Sequence, residues 1–229
     1  MNCVILQPSY IPWRGVFDQI NRADVFVFYD DVQYDKHGWR NRNQIKTAQG
    51  KQWLTIPVHS SGVVENSTPI RQVQIDWSKA WNKAHWKSLE SAYGRAPFFH
   101  KYAEMLEPFY QRQDVFLADL TIALTIALAR EIGIAHTRFM RSSELGAGGQ
   151  KTDRLVEILT KLGAQHYISG PSAQDYIEPD KFAKAGISLE YMDYNYPPYA
   201  QLHPPFDGNV SILDLLFMTG PEALKYISR

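Results

Sequence analysis

The residues best suited to chemistry form a run of polar and aromatic side chains at positions 7–15, directly after a short apolar segment. Two prolines restrict the backbone of this run, and a glycine closes it where a helix is predicted to begin, so backbone N–H groups there could bind an anion. A loop that only turned the chain would be small and polar. The alternative is a rigid aromatic plug that covers the end of a sheet. The candidate substrate-binding residues of this run are Gln7, Tyr10, Trp13, Arg14 and Gly15.

A second run, at positions 30–46, begins with two carboxylates and continues with amide and basic side chains. The carboxylates of Asp30 and Asp31 could bind Mg²⁺ or a substrate ammonium, and the arginines could hold phosphate or carboxylate in a bidentate fork. The alternative is a solvated surface loop whose internal ion pairs contribute little. We predict catalytic roles for Asp31, Arg40 and Asn43, and substrate binding by Asp30, Gln33, Arg42 and Lys46.

Two further polar runs lie at positions 141–154 and 169–176. The first holds Gly, Ser, Lys and Thr before a predicted helix, but it is not a Walker loop, because Gln150 separates Gly149 from Lys151. A flexible turn in which Thr152 caps the helix is an equal alternative. From these two runs we predict substrate contacts by Ser142, Ser143, Ser169, Gly170 and Tyr176.

Short apolar segments predict the strands that position these four runs. Residues 3–6 and 24–29 predict two buried strands joined by a short helix at 15–22, which is a βαβ unit. Further strands are predicted at 137–140, 166–169 and 188–192. Because the carboxyl ends of parallel strands share one edge of a sheet, the four runs should meet there. The sequence therefore predicts an α/β fold, with a mostly parallel sheet and helices on both faces.

A small β insertion and a helical segment are predicted to interrupt this pattern. Residues 50–76 hold two β-rich runs, 53–58 and 70–75, around a polar connection. Residues 77–134 predict three helices, at 78–93, 97–111 and 115–132. A later helix is predicted at 152–162, and one or two closing helices at 212–229. Without repeats or low-complexity linkers, a single domain over residues 1–229 is the economical interpretation.

Composition and charge exclude several classes of protein. The 24 Lys and Arg residues balance 24 Asp and Glu residues, whereas a nucleic-acid binder more often has a basic surplus; tRNA is the one nucleic acid kept as a candidate. The most apolar helical stretch carries Asp119, Arg130 and Glu131, so no membrane span is predicted. The N-terminus lacks a signal-peptide pattern and Cys3 is the one cysteine, so we expect a cytoplasmic protein.

The sequence lacks the motifs of three common kinds of site. The seven histidines include no HExxH pair, so no metal site is predicted from them. Ser9 and Ser143 lack the GxSxG elbow of hydrolases. The glycine pattern GxGxxG is missing after the first strand, which weighs against a dinucleotide-binding Rossmann domain.

A family resemblance extends along essentially the whole chain. It rests on residues 7–15, 17–18, 23–26, 30–34, 42–43, 45–46, 53–58, 142–143, 154–155, 167–171 and 211–214, with Trp81, Lys83, His85, Tyr93, Tyr176 and Gly220. On these residues the sequence resembles the WbqC-like protein family. The resemblance implies an accessory protein of O-antigen and other surface-polysaccharide (lipopolysaccharide) biosynthesis, with a suggested glycine or aminoacyl transferase role on an amino sugar. It implies no catalytic residues.

A fold-level analogy concerns the HIGH-type nucleotidylyltransferases, in which an HxGH motif after the first strand binds ATP phosphates. The corresponding residues here, Trp13-Arg14-Gly15-Val16, retain the glycine alone. If the fold is shared, Arg14 or Lys46 would have to supply the phosphate-binding charge. ATP with Mg²⁺ is accordingly the one cofactor considered.

The leading hypothesis is an amide-forming enzyme that passes an activated amino acid, such as glycine, to the amine of a sugar nucleotide. The diphosphate would lie against Arg40 and Arg42, and Tyr10 and Trp13 would wall the pocket. One alternative is a non-catalytic module that binds a sugar nucleotide or glycan for partner enzymes. Another is an aminoacyl-tRNA-binding protein.

Overall fold

A five-stranded sheet forms the centre of the computed structural model, which describes residues 1–63 and 65–227. Its strand order is β5-β2-β1-β6-β7, and each neighbouring pair is parallel. The predicted α/β fold is therefore confirmed. The strands of the chain are β1 (Asn2–Leu6), β2 (Val25–Phe28), β3 (Arg42–Thr47), β4 (Gly50–Thr55), β5 (Arg138–Arg141), β6 (His166–Ser169) and β7 (Ser188–Tyr191).

Burial on both faces explains why the central strands are continuous apolar runs. All four residues of β2 are buried. Because successive strand side chains point to opposite faces, Val25 and Val27 enter one apolar cluster while Phe26 and Phe28 enter another. A sheet packed in this way needs apolar side chains at every position of its inner strands.

Helices cover both faces of the sheet, as predicted. Helices α1, α2, α3, α4 and α7 contribute to the cluster that contains Phe26, and α5 and α6 contribute to the cluster that contains Val27. The helices are α1 (Arg14–Arg22), α2 (Trp81–Tyr93), α3 (Phe99–Gln111), α4 (Leu117–Ile132), α5 (Lys151–Leu162), α6 (Pro179–Lys184) and α7 (Ile212–Thr219).

The winding of the chain reverses beside β1. From β1 the chain moves outward to β2 and β5, and it then crosses to β6 and β7 on the other side of β1. Such a reversal leaves a crevice outside the carboxyl ends of the two strands where it occurs, here β1 and β6. In open α/β sheets this crevice is the usual ligand site.

The β insertion differs from its prediction. The sequence predicts a loop through residue 46 and strands at 53–58 and 70–75, whereas the structure pairs β3 with β4 in an antiparallel hairpin. Residues Ile70–Gln72 form a 3₁₀ helix, and the only strand-like contacts nearby in the described chain are isolated bridges such as Val58 to Ile75. Strand β3 is hard to recognise because its buried positions include the polar Asn43 and Lys46.

The helical segment begins and ends close to the predicted residues. Helix α4 stops at Gly133, whose φ of 99° suits a left-handed helix cap. At the end of the chain, α7 is followed by a 3₁₀ helix at Gly220–Tyr226, and the last two residues of the predicted closing segment lie outside the described residues. Within the described chain, no helix is both long and apolar enough to cross a membrane.

Candidate functional site

Two adjoining cavities open at the crevice between β1 and β6. Their volumes are about 490 Å³ and about 700 Å³, which lie in the range of small-molecule sites. We call them together the switch-point cleft, and separately the amide compartment (about 490 Å³) and the tyrosine compartment (about 700 Å³). Both are lined by Leu6, Trp13, Arg40, Gly170 and Tyr194.

The tyrosine compartment combines aromatic rings with hydroxyl groups. Tyr29, Tyr167 and Tyr176 line it together with Ser169 and Ser172. Burial raises the pKa of Tyr29 to about 12, so this phenol is neutral at pH 7 and can both donate and accept a hydrogen bond. The compartment also touches Lys151, the first residue of α5, and Gln7, which directly follows β1.

The amide compartment is lined by four carboxamide side chains. They come from α1, from β3 and from the segment before α7: Gln19, Asn43, Gln44 and Asn209. Gln19 is only 2% exposed, and its Nε2 has no hydrogen-bond partner within the described chain. A buried N–H group without a partner is costly, so this donor is suited to a bound group.

Asn43 also holds the first loop in place. Its Nδ2 donates to the carbonyl oxygen of Ile11 at 2.8 Å and to that of Tyr10 at 3.3 Å. Its Oδ1 accepts a hydrogen bond from the backbone N–H of Gln44 at 2.8 Å. The amide of Asn43 therefore joins the hairpin to the loop after β1. Asn43 also lines the cleft, where its role is to position that loop.

Arg40 lies at the junction of the two compartments. One guanidinium nitrogen donates to the carbonyl oxygen of Gln7 at 3.1 Å, and Arg40 forms no ion pair with any described residue. Burial lowers the pKa of Arg40 to about 10, with Asp35 opposing that shift, so the group remains a cation at neutral pH. A cation with one neutral partner is available to an anionic ligand.

The charge of the cleft is one-sided. Three cationic residues line it, namely Arg40, Lys51 and Lys151, and no Asp or Glu of the described chain does. Lys51 is partly neutralised by the carboxylate of Asp207, which lies 2.9 Å from its ammonium; the two side chains are 37% and 30% exposed. Clefts lined by one sign of charge concentrate ligands of the opposite sign. The cleft therefore favours a negatively charged ligand.

The two predicted acidic residues lie outside this lining. Asp30 accepts hydrogen bonds from the backbone N–H and the hydroxyl of Ser143, at 3.1 and 3.0 Å, and its Oδ1 lies 3.2 Å from the hydroxyl oxygen of Ser142. Asp31 accepts from Ser142 at 2.6 Å and forms a 2.5 Å ion pair with Arg154. All four carboxylate oxygens are occupied. Asp30 and Asp31, with Ser142 and Ser143, join the loop after β2 to the loop after the neighbouring β5.

A Mg²⁺ site does not fit these carboxylates. Both oxygens of Asp30 and both of Asp31 already accept protein hydrogen bonds, and Asp30 is fully buried. Among residues 1–63 and 65–227, no group of three or more His, Cys, Asp or Glu side chains could hold a metal ion.

Three residues of the first loop have packing roles. The hydroxyl of Tyr10 is buried between His85 and Tyr110, at 3.0 and 2.8 Å. Arg14 donates to the carbonyl oxygen of Pro197 at 2.9 Å and lies over neighbouring aromatic rings, away from the cleft. A Cβ on Gly15 would overlap the indole of Trp13, so glycine is needed there. Tyr10 therefore does not wall the pocket, and Arg14 does not supply its charge.

Three residues of the second run also lie elsewhere. Gln33 forms a bridge with Pro69 and lines a separate cavity of about 390 Å³. Arg42 donates to the carbonyl oxygen of His37 at 2.6 Å and packs over the ring of Trp53. Lys46 is 4% exposed and donates to Oε1 of Gln201 at 2.8 Å, so it cannot supply the phosphate-binding charge of a HIGH-type site.

The cleft thus unites part of the predicted set and adds residues that were not predicted. The predicted residues in its lining are Gln7, Trp13, Arg40, Asn43, Ser169, Gly170 and Tyr176. The added ones include Gln19, Trp39, Gln44, Lys51, Lys151, Tyr194 and Asn209. The aromatic, proline-containing run at 194–199 is a local signal that could have indicated Tyr194. The position of Gln19 within a helix offers no such signal.

Comparison with known proteins gives two matches. A family model described as the WbqC-like protein family matches residues 7–226. The chain is also similar to the uncharacterized protein Rv1507c of Mycobacterium tuberculosis (strain ATCC 25618 / H37Rv), with 43% identity over 225 residues, which cover 97% of this chain and 96% of that protein. No solved structure matches. Apart from Ile5 and Leu6, every residue that lines the switch-point cleft lies inside the range matched by the family model.

Proposed function

The chain belongs to the WbqC-like protein family, and from that premise we propose that its switch-point cleft binds a nucleotide-linked amino sugar and forms an amide on the sugar amine. The family is associated with polysaccharide biosynthesis. One observation carries the proposal: in the described chain, the cleft is lined by cations and aromatic rings and by no carboxylate. The small-molecule partners are a sugar nucleotide and an activated amino acid.

Arg40 is suited to the diphosphate of this ligand. A guanidinium presents paired N–H groups that match two phosphate oxygens, and its interaction is stronger where water is partly excluded. Lys151 in the lining of the tyrosine compartment adds positive charge, and Lys51 in the lining of the amide compartment adds less because it pairs with Asp207. A nucleoside diphosphate supplies the negative charge that this arrangement lacks.

The charge of the cleft also favours the reactive form of an amine. An adjacent carboxylate would favour the ammonium form of a bound amine, and no carboxylate of the described lining is present to do so. The uncharged amine has the lone pair needed for attack on a carbonyl carbon. The cleft thus supports nucleophilic attack by the sugar amine without a dedicated base to deprotonate an ammonium.

The proposed reaction is aminoacyl transfer. The sugar nitrogen bonds to the carbonyl carbon of an activated amino acid, such as glycine held as an ester or an adenylate. The bond between that carbon and its leaving group then breaks, and the proton lost from nitrogen goes to the leaving group or to water. Any ATP would be consumed in making the activated donor. The product is the amide of the sugar nucleotide.

The test is a mass-spectrometric assay of transfer. The protein is incubated with UDP- and GDP-linked amino sugars, isotope-labelled amino acids and ATP, and in parallel with aminoacyl esters that need no ATP. We expect the sugar nucleotide to gain the mass of one aminoacyl residue. Arg40→Ala should abolish the gain, whereas Arg95→Ala, which removes an exposed arginine outside the cleft, should not. The absence of product from every combination would overturn the proposal of aminoacyl transfer.

A second candidate function, a non-catalytic sugar-nucleotide or glycan carrier, is favoured by a separate observation. No His, Cys, Asp or Glu in the described chain lines the cleft, so lysine and tyrosine side chains are the ionisable groups left there for general acid or base catalysis, besides Arg40. This candidate predicts a higher melting temperature with a sugar nucleotide alone and no turnover with any donor. The transfer assay and a thermal-shift assay on the same ligands therefore separate the two functions.

A further inference from the structure

We propose that the two compartments of the cleft divide the ligand, with the nucleoside in the tyrosine compartment and the sugar in the amide compartment. This inference rests on the proposed function and specifies how the sugar nucleotide is oriented in the cleft. It also assigns specificity: the tyrosine compartment would select the nucleotide, and the amide compartment would select the sugar.

The amide compartment has the groups that sugar hydroxyls need. A carboxamide both donates and accepts hydrogen bonds, as a hydroxyl does, and the lining includes the carboxamides of Gln19, Gln44 and Asn209. The Nε2 of Gln19 is buried without a partner in the described chain. The rings of Trp13 and Trp39 supply flat apolar surface for the C–H face of a pyranose. Hydroxyls above such a ring could then reach the amides.

The tyrosine compartment has the groups that a nucleoside needs. Tyr176 is 65% exposed although it lines the compartment, so its ring is accessible to a flat partner. Stacking of a base on an aromatic ring is a common and sequence-tolerant way to bind nucleotides. Ser169 and Ser172 add hydroxyls beside the rings that could bond a ribose. Gln7 is the one carboxamide among the described residues that line the tyrosine compartment.

The order of groups along the cleft matches the order of groups along the ligand. In a sugar nucleotide the diphosphate connects the nucleoside to the sugar. In the cleft, Arg40 belongs to both compartments, with Tyr176 in the wall of one and Gln44 in the wall of the other. A diphosphate at Arg40 would therefore direct the nucleoside and the sugar into opposite compartments. The tyrosine compartment, at about 700 Å³, is the larger of the two, as the larger nucleoside requires.

The experiment compares affinities for two matched ligand pairs, UDP with UDP-glucosamine and GDP with a GDP-linked amino sugar, by isothermal titration calorimetry. Tyr176→Ala should weaken UDP or GDP and its sugar-linked form by the same factor, about tenfold, while Tyr176→Phe should retain affinity. Gln44→Ala and Asn209→Ala should weaken the sugar-linked form about tenfold and leave UDP and GDP unchanged. Gln52→Ala, on the same hairpin but outside the cleft lining, is the control.

The outcomes separate this inference from the proposed function. If the wild-type protein binds neither pair, the proposed function fails and the division fails with it. If it binds a pair, two results would overturn the division alone, because both indicate the reverse orientation. In one, Gln44→Ala weakens the binding of free UDP or GDP. In the other, Tyr176→Ala reduces only the additional affinity that the sugar contributes. Melting temperatures close to that of the wild-type protein show that each variant is folded.

Discussion

A Cβ atom on Gly15 would lie 2.3 Å from the indole ring of Trp13. The first turn of α1 is therefore the surface on which this ring rests, and a side chain at position 15 would displace it. The ring also packs edge-on against Tyr194, with 4.8 Å between the ring centroids. Because Trp13 and Tyr194 line both compartments, Gly15, which is not itself part of the lining, helps to determine the shape of the cleft.

The first prediction follows from this contact. Gly15→Ala should weaken sugar-nucleotide binding about tenfold, since the indole must move away from the position it now occupies in the cleft wall. Trp13→Ala should weaken binding at least as much, and the double variant should add little, because both changes act on one ring. Calorimetric affinities for the four proteins test this. Fully additive losses would show that Gly15 acts independently of Trp13.

The second prediction concerns the charge of Arg40. Arg40→Ala should weaken UDP binding by roughly tenfold to a hundredfold, the usual range for a hydrogen-bonded charged group. Arg40→Lys should restore only part of this affinity, since an ammonium lacks the paired donors of guanidinium. Uridine has no phosphate, so it should bind more weakly than UDP. Its affinity should be the same for the wild-type protein, Arg40→Ala and Arg40→Lys. A matching loss for uridine would place Arg40 against the nucleoside.

Much of the fold and part of the site could be predicted because their signals are local. The apolar run of β2 and the polar residues after β1 indicate a sheet edge without any knowledge of distant contacts. The pairing of Asp30 with Ser142, 112 residues apart, could not be predicted, because it depends on β5 lying beside β2. Without that neighbour, two adjacent carboxylates suggest a metal or ammonium site. Gln19 was missed for a similar reason, since a polar residue in a helix usually faces solvent.

The third prediction is that Asp30 stabilises the fold. Asp30→Asn should lower the free energy of unfolding by about 2 kcal/mol, since an amide cannot accept at both atoms the two hydrogen bonds that Ser143 donates to the two carboxylate oxygens. The affinity of the folded fraction for UDP should be unchanged. Urea unfolding and calorimetry measure the two quantities. Wild-type stability combined with lost turnover would instead support the predicted role of Asp30 in substrate binding.

The fourth prediction is a pH dependence of stability that arises from His85. Burial lowers the pKa of His85 from 6.5 to about 4, and its Nδ1 lies 3.0 Å from the hydroxyl of Tyr10. Between pH 6.5 and pH 4 the unfolded chain therefore takes up a proton that the folded protein excludes. The histidine contributes no destabilisation at pH 7, and folding stability should fall by about 3 kcal/mol as the pH decreases through this window.

His85→Gln isolates this contribution, because glutamine can hydrogen-bond to Tyr10 and does not titrate. The variant should be less stable than the wild-type protein at pH 7, since it loses the packing of the imidazole against Tyr10 and Trp81. Its loss of stability between pH 7 and pH 4.5 should nevertheless be smaller than that of the wild-type protein. Urea unfolding at both pH values gives the comparison. An equal loss in both proteins would mean that the acid sensitivity of this fold comes from groups other than His85.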